Sequence, residues 1–421
     1  RCLTPIEEGG CMRFILKSIK RIVGLALLGA TVLVGGILAT HFWMRLKFHA
    51  MLQRGVPEGP HMEVSSERDM GDIVSSLREF PFKGRAGTVV GMVKGGLMNS
   101  FLLFLNADRA TSGIMYPYPE EFEHVVLESF DGTPLTAAVG IHKDGKPRPA
   151  IVMSHGFMGS KNDHYIIDSA LTAYAEWGFN VLAIDLRNFG RSQSLAHGPT
   201  TAGWRESEDV LAAAKYMSER PEVTSVGITG FSMGAGATML AACRAGEFPY
   251  LTGGAIAWNG YADARRMVEY ISKRPPVTHP FFPVYLGFRL MHKIRREDMK
   301  DYIDDPELLT YLDGGFEGAD FATYIDKIAA PHYGVTTDEF YASASPRNFL
   351  AGVEVPLLIV HAEDDPICPP SEMDDLREAA ADNPNVDIWM LPAGNHCMFR
   401  YVDKRWYDKV MRDFFTYWAE W

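Results

Sequence analysis

The chain has 421 residues, a formal net charge of −12 at pH 7 and five cysteines. Its acidic residues are dispersed and no basic stripe runs through the body of the chain, which argues against nucleic acid as a partner. Cys2, Cys11, Cys243, Cys368 and Cys397 show neither disulfide nor zinc spacing, so no metal is expected, and the length suits one large domain plus an appendage.

The N-terminal part is not ordinary globular sequence. Residues 22–43 carry no charge and are rich in Leu, Val, Gly and Ala, enough to cross a bilayer core. Arg13, Lys17, Lys20 and Arg21 precede this run, and Arg45 and Lys47 follow it. The excess on the leading side favours an N-terminus in the cytoplasm, with the main domain across the membrane. The expectation is therefore a single-pass N-terminal membrane anchor over 22–43, with 1–21 a cytoplasmic tail or extraneous sequence. A cleaved signal peptide is the alternative, although no clean small-x-small site precedes His41, Phe42 and Trp43. Residues 44–118 read as a connecting, membrane-adjacent helical region. Within it, 88–106 is apolar but broken by Lys94 and three glycines, which fits a packed or amphipathic helix better than a second span.

The main domain begins near Pro119. Strand-like segments recur at 123–129, 134–141, 150–154, 180–185, 225–229, 254–258, 356–361 and 386–391. Asp131-Gly132 supplies the hairpin turn between the first two. The later strands are separated by helix-length stretches such as 202–220, as parallel crossovers require, and 401–421 has helical periodicity. This pattern predicts an α/β fold with a mostly parallel eight-stranded sheet flanked by helices. Its first part is 119–258 and its second 351–421. Residues 259–350 break the alternation after the sixth strand, where an insertion would lie over Ser232 as a cap. The aromatic run from His279 to Met291 suits either an apolar acyl pocket and lipid-facing surface, or ordinary packing of the cap.

Chemistry concentrates at strand ends. The strand 150–154 runs into His155-Gly156-Phe157-Met158-Gly159-Ser160, a turn able to point the Phe157 N–H into a site. His155 belongs to that turn and is expected to hold it by hydrogen bonds. Gly230-Phe231-Ser232-Met233-Gly234 stands between a β-branched run and the small, helix-prone Ala235–Ala242 stretch, so that strand, sharp turn and helix put Ser232 at the apex. A serine on a strand–turn–helix elbow of this kind is followed along the chain by an acid and then a histidine, and only His396 lies beyond the last strand-like segment. The acid should end the preceding strand, where Glu363-Asp364-Asp365-Pro366 offers a choice. Asp365 is preferred because the proline fixes the turn directly after it, with Asp364 as the fallback. The N–H groups of Phe157 and Met233 would hold an oxyanion. Cys368 and Cys397 flank the acid and base, and read as small hydrophobes under the site in preference to a redox-sensitive pair.

These residues together resemble the α/β-hydrolase superfamily, and more narrowly its YheT-like branch of membrane-anchored lipid esterases. The narrower likeness rests on His155–Ser160 followed by Asn162 and His164-Tyr165-Ile166, on Phe340–Pro346, and on Asp364-Asp365-Pro366. The nucleophile turn departs from that branch at Met233 and at Ala235-Gly236. The resemblance implies Ser232 as nucleophile, Asp365 as acid and His396 as base, with fatty-acyl esters as substrates and no organic cofactor. The expected function is a membrane-anchored serine carboxylesterase or lipase acting through an acyl-enzyme. Acyl transfer to an alcohol is the alternative, and a non-catalytic binding protein of the same fold the remaining one.

Overall fold

The computed structural model describes residues 42–64, 66–84, 118–196, 198–279 and 321–421, with isolated positions inside 31–39 and 281–313. Two units are distinguishable, 1–50 and 51–421. In the first, residues 42–50 are helical.

The second unit contains one eight-stranded sheet: β1 (Phe122–Glu128), β2 (Pro134–Gly140), β3 (Arg148–Ser154), β4 (Asn180–Ile184), β5 (Val223–Phe231), β6 (Ala255–Trp258), β7 (Leu357–Ala362) and β8 (Val386–Leu391). The spatial order is β1-β2-β4-β3-β5-β6-β7-β8. Only the β1/β2 and β2/β4 pairs are antiparallel. Gly132 turns the β1–β2 hairpin at φ +82°, and the Ser129 N–H donates to the Thr133 carbonyl at 2.8 Å. β3, β4, β6 and β7 are buried along their whole length, as a parallel sheet covered on both faces demands. β5 runs further than the sequence suggests. Gly230 reads as a turn residue, yet it stays in register between Ser154 of β3 and Ala257 of β6, because neighbours on both sides hold it in the ladder.

The helices used below are α1 (Met70–Glu79), α2 (His164–Trp177), α3 (Trp204–Ser218), α4 (Met233–Cys243), α5 (Ala264–Ser272), α6 (Glu372–Ala379) and α7 (Lys404–Trp418). α2, α3, α4 and α6 are the crossovers that parallel pairing requires. α4 is buried from Met233 to Ala242, since a helix of small and apolar residues on every side is stable only inside the molecule. It packs between the sheet and α3. α7 buries Trp406, Val410, Met411, Phe414 and Phe415 as one apolar stripe, and the Asp403 carboxylate caps it by accepting the Trp406 N–H at 3.1 Å.

Between β6 and β7 the described residues include the helices α5, Pro306–Asp313, Phe321–Tyr324 continuing through a π-turn, and Thr337–Ser343. These pieces share an apolar cluster with Tyr261, Met267, Phe321, Tyr324 and Phe340, separate from the cluster that underlies the sheet.

Part of the expected connecting region belongs to the second unit. α1 packs on α7 and β8, the Arg68 guanidinium donates to the Trp418 and Ala419 carbonyls at 2.7 and 2.9 Å, and Arg78 pairs with Asp387 at 2.9 Å. The localisation expected from the sequence is corrected: among the described residues, no helix is long and apolar enough to cross a membrane. Most of 22–43, and all of 88–106, lie outside the described residues.

Candidate active site

Ser232 joins β5 to α4 with φ 56° and ψ −117°, a conformation that costs a non-glycine residue about 1–3 kcal/mol. The surroundings impose it. Ser232 N–H donates to the Trp258 carbonyl at 2.9 Å, and the glycines on either side leave no room for another arrangement. A β-carbon on Gly230 would sit 2.1 Å from the Gly234 carbonyl oxygen, and one on Gly234 would sit 2.4 Å from that of His155. Gly156 is confined less severely, since a β-carbon there would lie 3.1 Å from the Ser232 Cβ. The spacing of small residues legible in the sequence is thus the packing of three backbone segments against each other.

The expected acid and base are brought together. His396 Nδ1 lies 2.9 Å from Asp365 Oδ2 and 3.1 Å from Oδ1. Asp365 Oδ1 also accepts the N–H groups of Ile367 (2.8 Å) and Cys368 (3.0 Å), the tight turn that Pro366 creates. Burial by itself pushes this carboxyl up. The His396 imidazole and its hydrogen bond, His361 nearby and the Ile367 N–H outweigh it, and hold the carboxyl below its usual range. Asp365 is therefore an anion against which Nδ1 carries the proton, leaving Nε2 as the basic nitrogen. Asp364 turns elsewhere: its Oδ1 accepts the Gly394 and Asn395 N–H groups at 2.9 and 2.6 Å, tethering the turn that carries His396.

The serine and the histidine loop converge on the end of β6. The Trp258 carbonyl that accepts Ser232 N–H also accepts the Cys397 thiol at 3.7 Å. Among the described residues no hydrogen bond joins the Ser232 hydroxyl to the imidazole; in ligand-free sites such bonds are often long and tighten with substrate.

The loop after β3 is anchored from below. His155 Nε2 accepts the Leu186 N–H at 3.1 Å, so its Nδ1 donates to the Gly156 carbonyl at 2.7 Å. The Gly156 N–H donates to the Tyr165 hydroxyl at 3.0 Å. Lys161 and Asp185 form a fully buried ion pair, and the Lys161 N–H donates to Asp185 Oδ1 at 2.7 Å. Phe157 and Met233 line, with Ser232, an apolar cavity of about 70 Å³ closed by Tyr261, Met267 and Phe321. Met233 opens α4, where the first N–H groups of a helix lack intrahelical acceptors. A larger cavity of about 990 Å³ lies elsewhere, between Arg54, Trp177 and Arg412, and contains none of these groups.

Cys368 and Cys397 are free, and burial pushes both thiols well up. Among the described residues, Asp365, Cys368 and His396 form the group whose donor atoms, all within 4.8 Å of one another, could hold a metal. A neutral buried thiol is a poor ligand, and the carboxylate and imidazole already bind each other. Two neighbours escaped the sequence reading. His361, fully buried on β7, lies 3.8 Å from Asp365 Oδ2. Asn259, directly after β6, donates to the same oxygen at 2.8 Å. The one available signal for Asn259 was an Asn-Gly pair closing a buried strand.

A sheet of this topology, with a serine on the turn after β5 and an Asp–His pair on the loops after β7 and β8, defines the α/β-hydrolase class. The sequence model of the alpha/beta hydrolase family matches residues 151–405, and the chain belongs to that family. Similar curated proteins are an abhydrolase domain-containing protein of Dictyostelium discoideum, 26% identical over 285 residues, and phospholipase ABHD3 of Mus musculus, 22% identical over 293 residues. The matches cover 64% and 67% of this chain, and the chain spans 66% and 67% of the length of those relatives. Similar solved structures include the Pyrococcus furiosus esterase Pf2001, at 19% identity and a TM-score of 0.46 over 71% of this chain and 93% of that one. Another is the Pyrococcus horikoshii acylaminoacyl peptidase, at 18% identity and a TM-score of 0.48 over 73% of this chain and 44% of that one.

Proposed function

We propose that the protein is a serine carboxylesterase or lipase that cleaves fatty-acyl esters through an acyl-enzyme on Ser232. The observation that carries this reading is the shared edge: Ser232, in a strained turn open to an apolar cavity, stands where the Asp365–His396 pair arrives from β7 and β8. The Ser232 Oγ attacks the ester carbonyl carbon as its proton passes to His396 Nε2. The Phe157 and Met233 N–H groups hold the oxyanion. The bond to the leaving alcohol then breaks, and His396 returns the proton to that oxygen. Water, deprotonated by the same nitrogen, attacks the acyl carbon, and Ser232 leaves with the proton. Asp365 keeps its negative charge throughout and stabilises the transient imidazolium. The helical segment between β6 and β7 serves as the cap, its Met267 and Phe321 facing the acyl group. Likeness to a protein named as a phospholipase supports a lipid ester, and the residues 155–160 and 340–346 support a place near the YheT-like branch.

The test is fluorophosphonate labelling of the protein and of Ser232→Ala, with turnover of p-nitrophenyl esters of graded chain length. Loss of labelling and of turnover together in Ser232→Ala is the expected result. Labelling that survives the substitution overturns the choice of nucleophile. Ester formed on an added alcohol, in place of free acid, would redirect the reading to acyl transfer.

A further inference from the structure

His396 sits on a strained turn with two bonds of its own, the Met398 N–H to the Gly394 carbonyl at 3.0 Å and the His396 N–H to Asn395 Oδ1 at 2.7 Å. Its neighbours Asn395 (φ 48°) and Cys397 (φ 59°) both occupy the left-handed region, which is unfavourable for residues other than glycine. Bonds from outside the turn reinforce it. Asp364 does so from one side, through the Gly394 and Asn395 N–H groups. On the other side stands the Asn259 amide, beside the bond from the Cys397 thiol to the Trp258 carbonyl.

We infer that Asn259 is a positioning residue that locks His396 onto Asp365 and thereby sets the activity of the pair. This rests on the hydrolase reading above. The Asn259 Nδ2 group donates to the Asn395 carbonyl at 3.0 Å, while its Oδ1 accepts the Cys397 N–H at 3.0 Å. The amide thus pairs with the residues immediately before and after His396, as one more backbone rung would. Its second N–H goes to Asp365 Oδ2 at 2.8 Å, the oxygen that makes the shorter contact with His396 Nδ1. One rigid plane therefore touches the acid and both flanks of the base, and its two hydrogens and its oxygen are all used. The orientation of the amide is not free either. Flipped, its oxygen would face the Asp365 carboxylate and the Asn395 carbonyl, and its N–H would face the Cys397 N–H.

The residue type follows from the position. The Asn259 backbone has φ 52°, and its N–H donates to the Val360 carbonyl of β7 at 2.8 Å. Asparagine tolerates that φ better than most side chains. Glutamine would carry the same amide about one methylene too far. Alanine would keep the strain and lose all three bonds. The site is fully buried, so water does not substitute freely for the missing amide.

The test uses two variants of the full chain beside wild type. Asn259→Gly accepts the positive φ but deletes the clamp. It is expected to lower kcat for a p-nitrophenyl ester roughly 10- to 100-fold, the scale of a sub-ångström to 1 Å displacement of a reacting group, with KM within about twofold. Asn259→Asp keeps the acceptor for Cys397 and the backbone preference but sets a second carboxyl beside Asp365. Two carboxyls this close share a proton, and the acid limb of the pH–rate profile is expected to move to higher pH. The low-field proton resonance of the His396 Nδ1–H, assigned by its loss in His396→Ala, is expected to shift or broaden in both variants. Unchanged kcat, unchanged acid limb and an unchanged resonance, in variants with native circular dichroism, would overturn the inference. A wild type that neither turns over esters nor reacts with fluorophosphonate sinks the hydrolase reading instead, and the resonance still decides whether Asn259 positions the imidazole.

Discussion

Replacing Gly234 by alanine puts opposing effects in direct competition. Gly234 lies in the first turn of α4, where alanine improves helix propensity by about 1 kcal/mol. Against that, the added methyl would lie 2.4 Å from the His155 carbonyl oxygen, 2.9 Å from that of Ser154 and 3.0 Å from the Ser154 Oγ. The two nearest atoms are backbone, so relief requires the β3 end or the start of α4 to move. Restoring ordinary contact takes roughly 0.6–1 Å of displacement. His155 is followed by Gly156, which packs directly on Ser232, so the movement reaches Ser232 and the Phe157 N–H together. Misplacement on that scale costs about 100-fold in turnover, and forced overpacking about 1–3 kcal/mol in stability. Gly234→Ala is therefore expected to lower kcat by about two orders of magnitude and to melt earlier than wild type. Gly352→Ala serves as the control, because a β-carbon at Gly352 meets nothing within 4 Å, and its stability should change by less than about 0.5 kcal/mol. Thermal melts and ester kinetics on both variants make the comparison. A Gly234→Ala protein with wild-type kcat and melting temperature would refute the steric account of the turn.

Two further outcomes follow from other parts of the molecule. His142 is buried against Tyr174, its ring stacked at 4.0 Å; burial and Arg148 lower its pKa to about 4. A depressed value means that the unfolded chain takes up the proton first. The stabilisation is complete above about pH 6.5 and is lost as pH falls from there to about 4, amounting to about 3 kcal/mol. Urea melts across that range should show His142→Phe with a flatter pH dependence, and an unchanged slope would exclude His142 as its source. In the cavity, Phe321 stands edge-on to Phe157 at 5.4 Å and closes the space beside Ser232. Phe321→Ala is expected to raise the preference for longer over shorter acyl chains by about tenfold or more. An unchanged ratio of kcat/KM across the ester series would remove Phe321 from the acyl pocket.

Much of this molecule could be read locally. Apolar runs such as 150–154 and 356–361 fall on β3 and β7, because a strand covered on both faces needs a near-continuous hydrophobic run. The Gly230–Gly234 pattern could be read for the same reason: glycine is the residue that tolerates backbone-to-backbone contact. Other features were beyond local reading. Adjacent carboxylates at 364 and 365 are chemically alike, and only the fold sends one to the His396 ring and the other to the backbone of its turn. Asn259 lies 106 residues from Asp365 and 136 from Asn395, and no periodicity or turn rule connects them. The order of the strands, with β4 between β2 and β3, likewise arises from long-range pairing. The sequence by itself determined which segments must be buried and where a serine could be strained out of a strand, since those depend on neighbours along the chain. The tertiary structure alone decided which loops meet at the sheet edge and which polar groups find each other there, because a buried hydrogen bond is chosen by spatial proximity and desolvation, to which sequence separation contributes nothing.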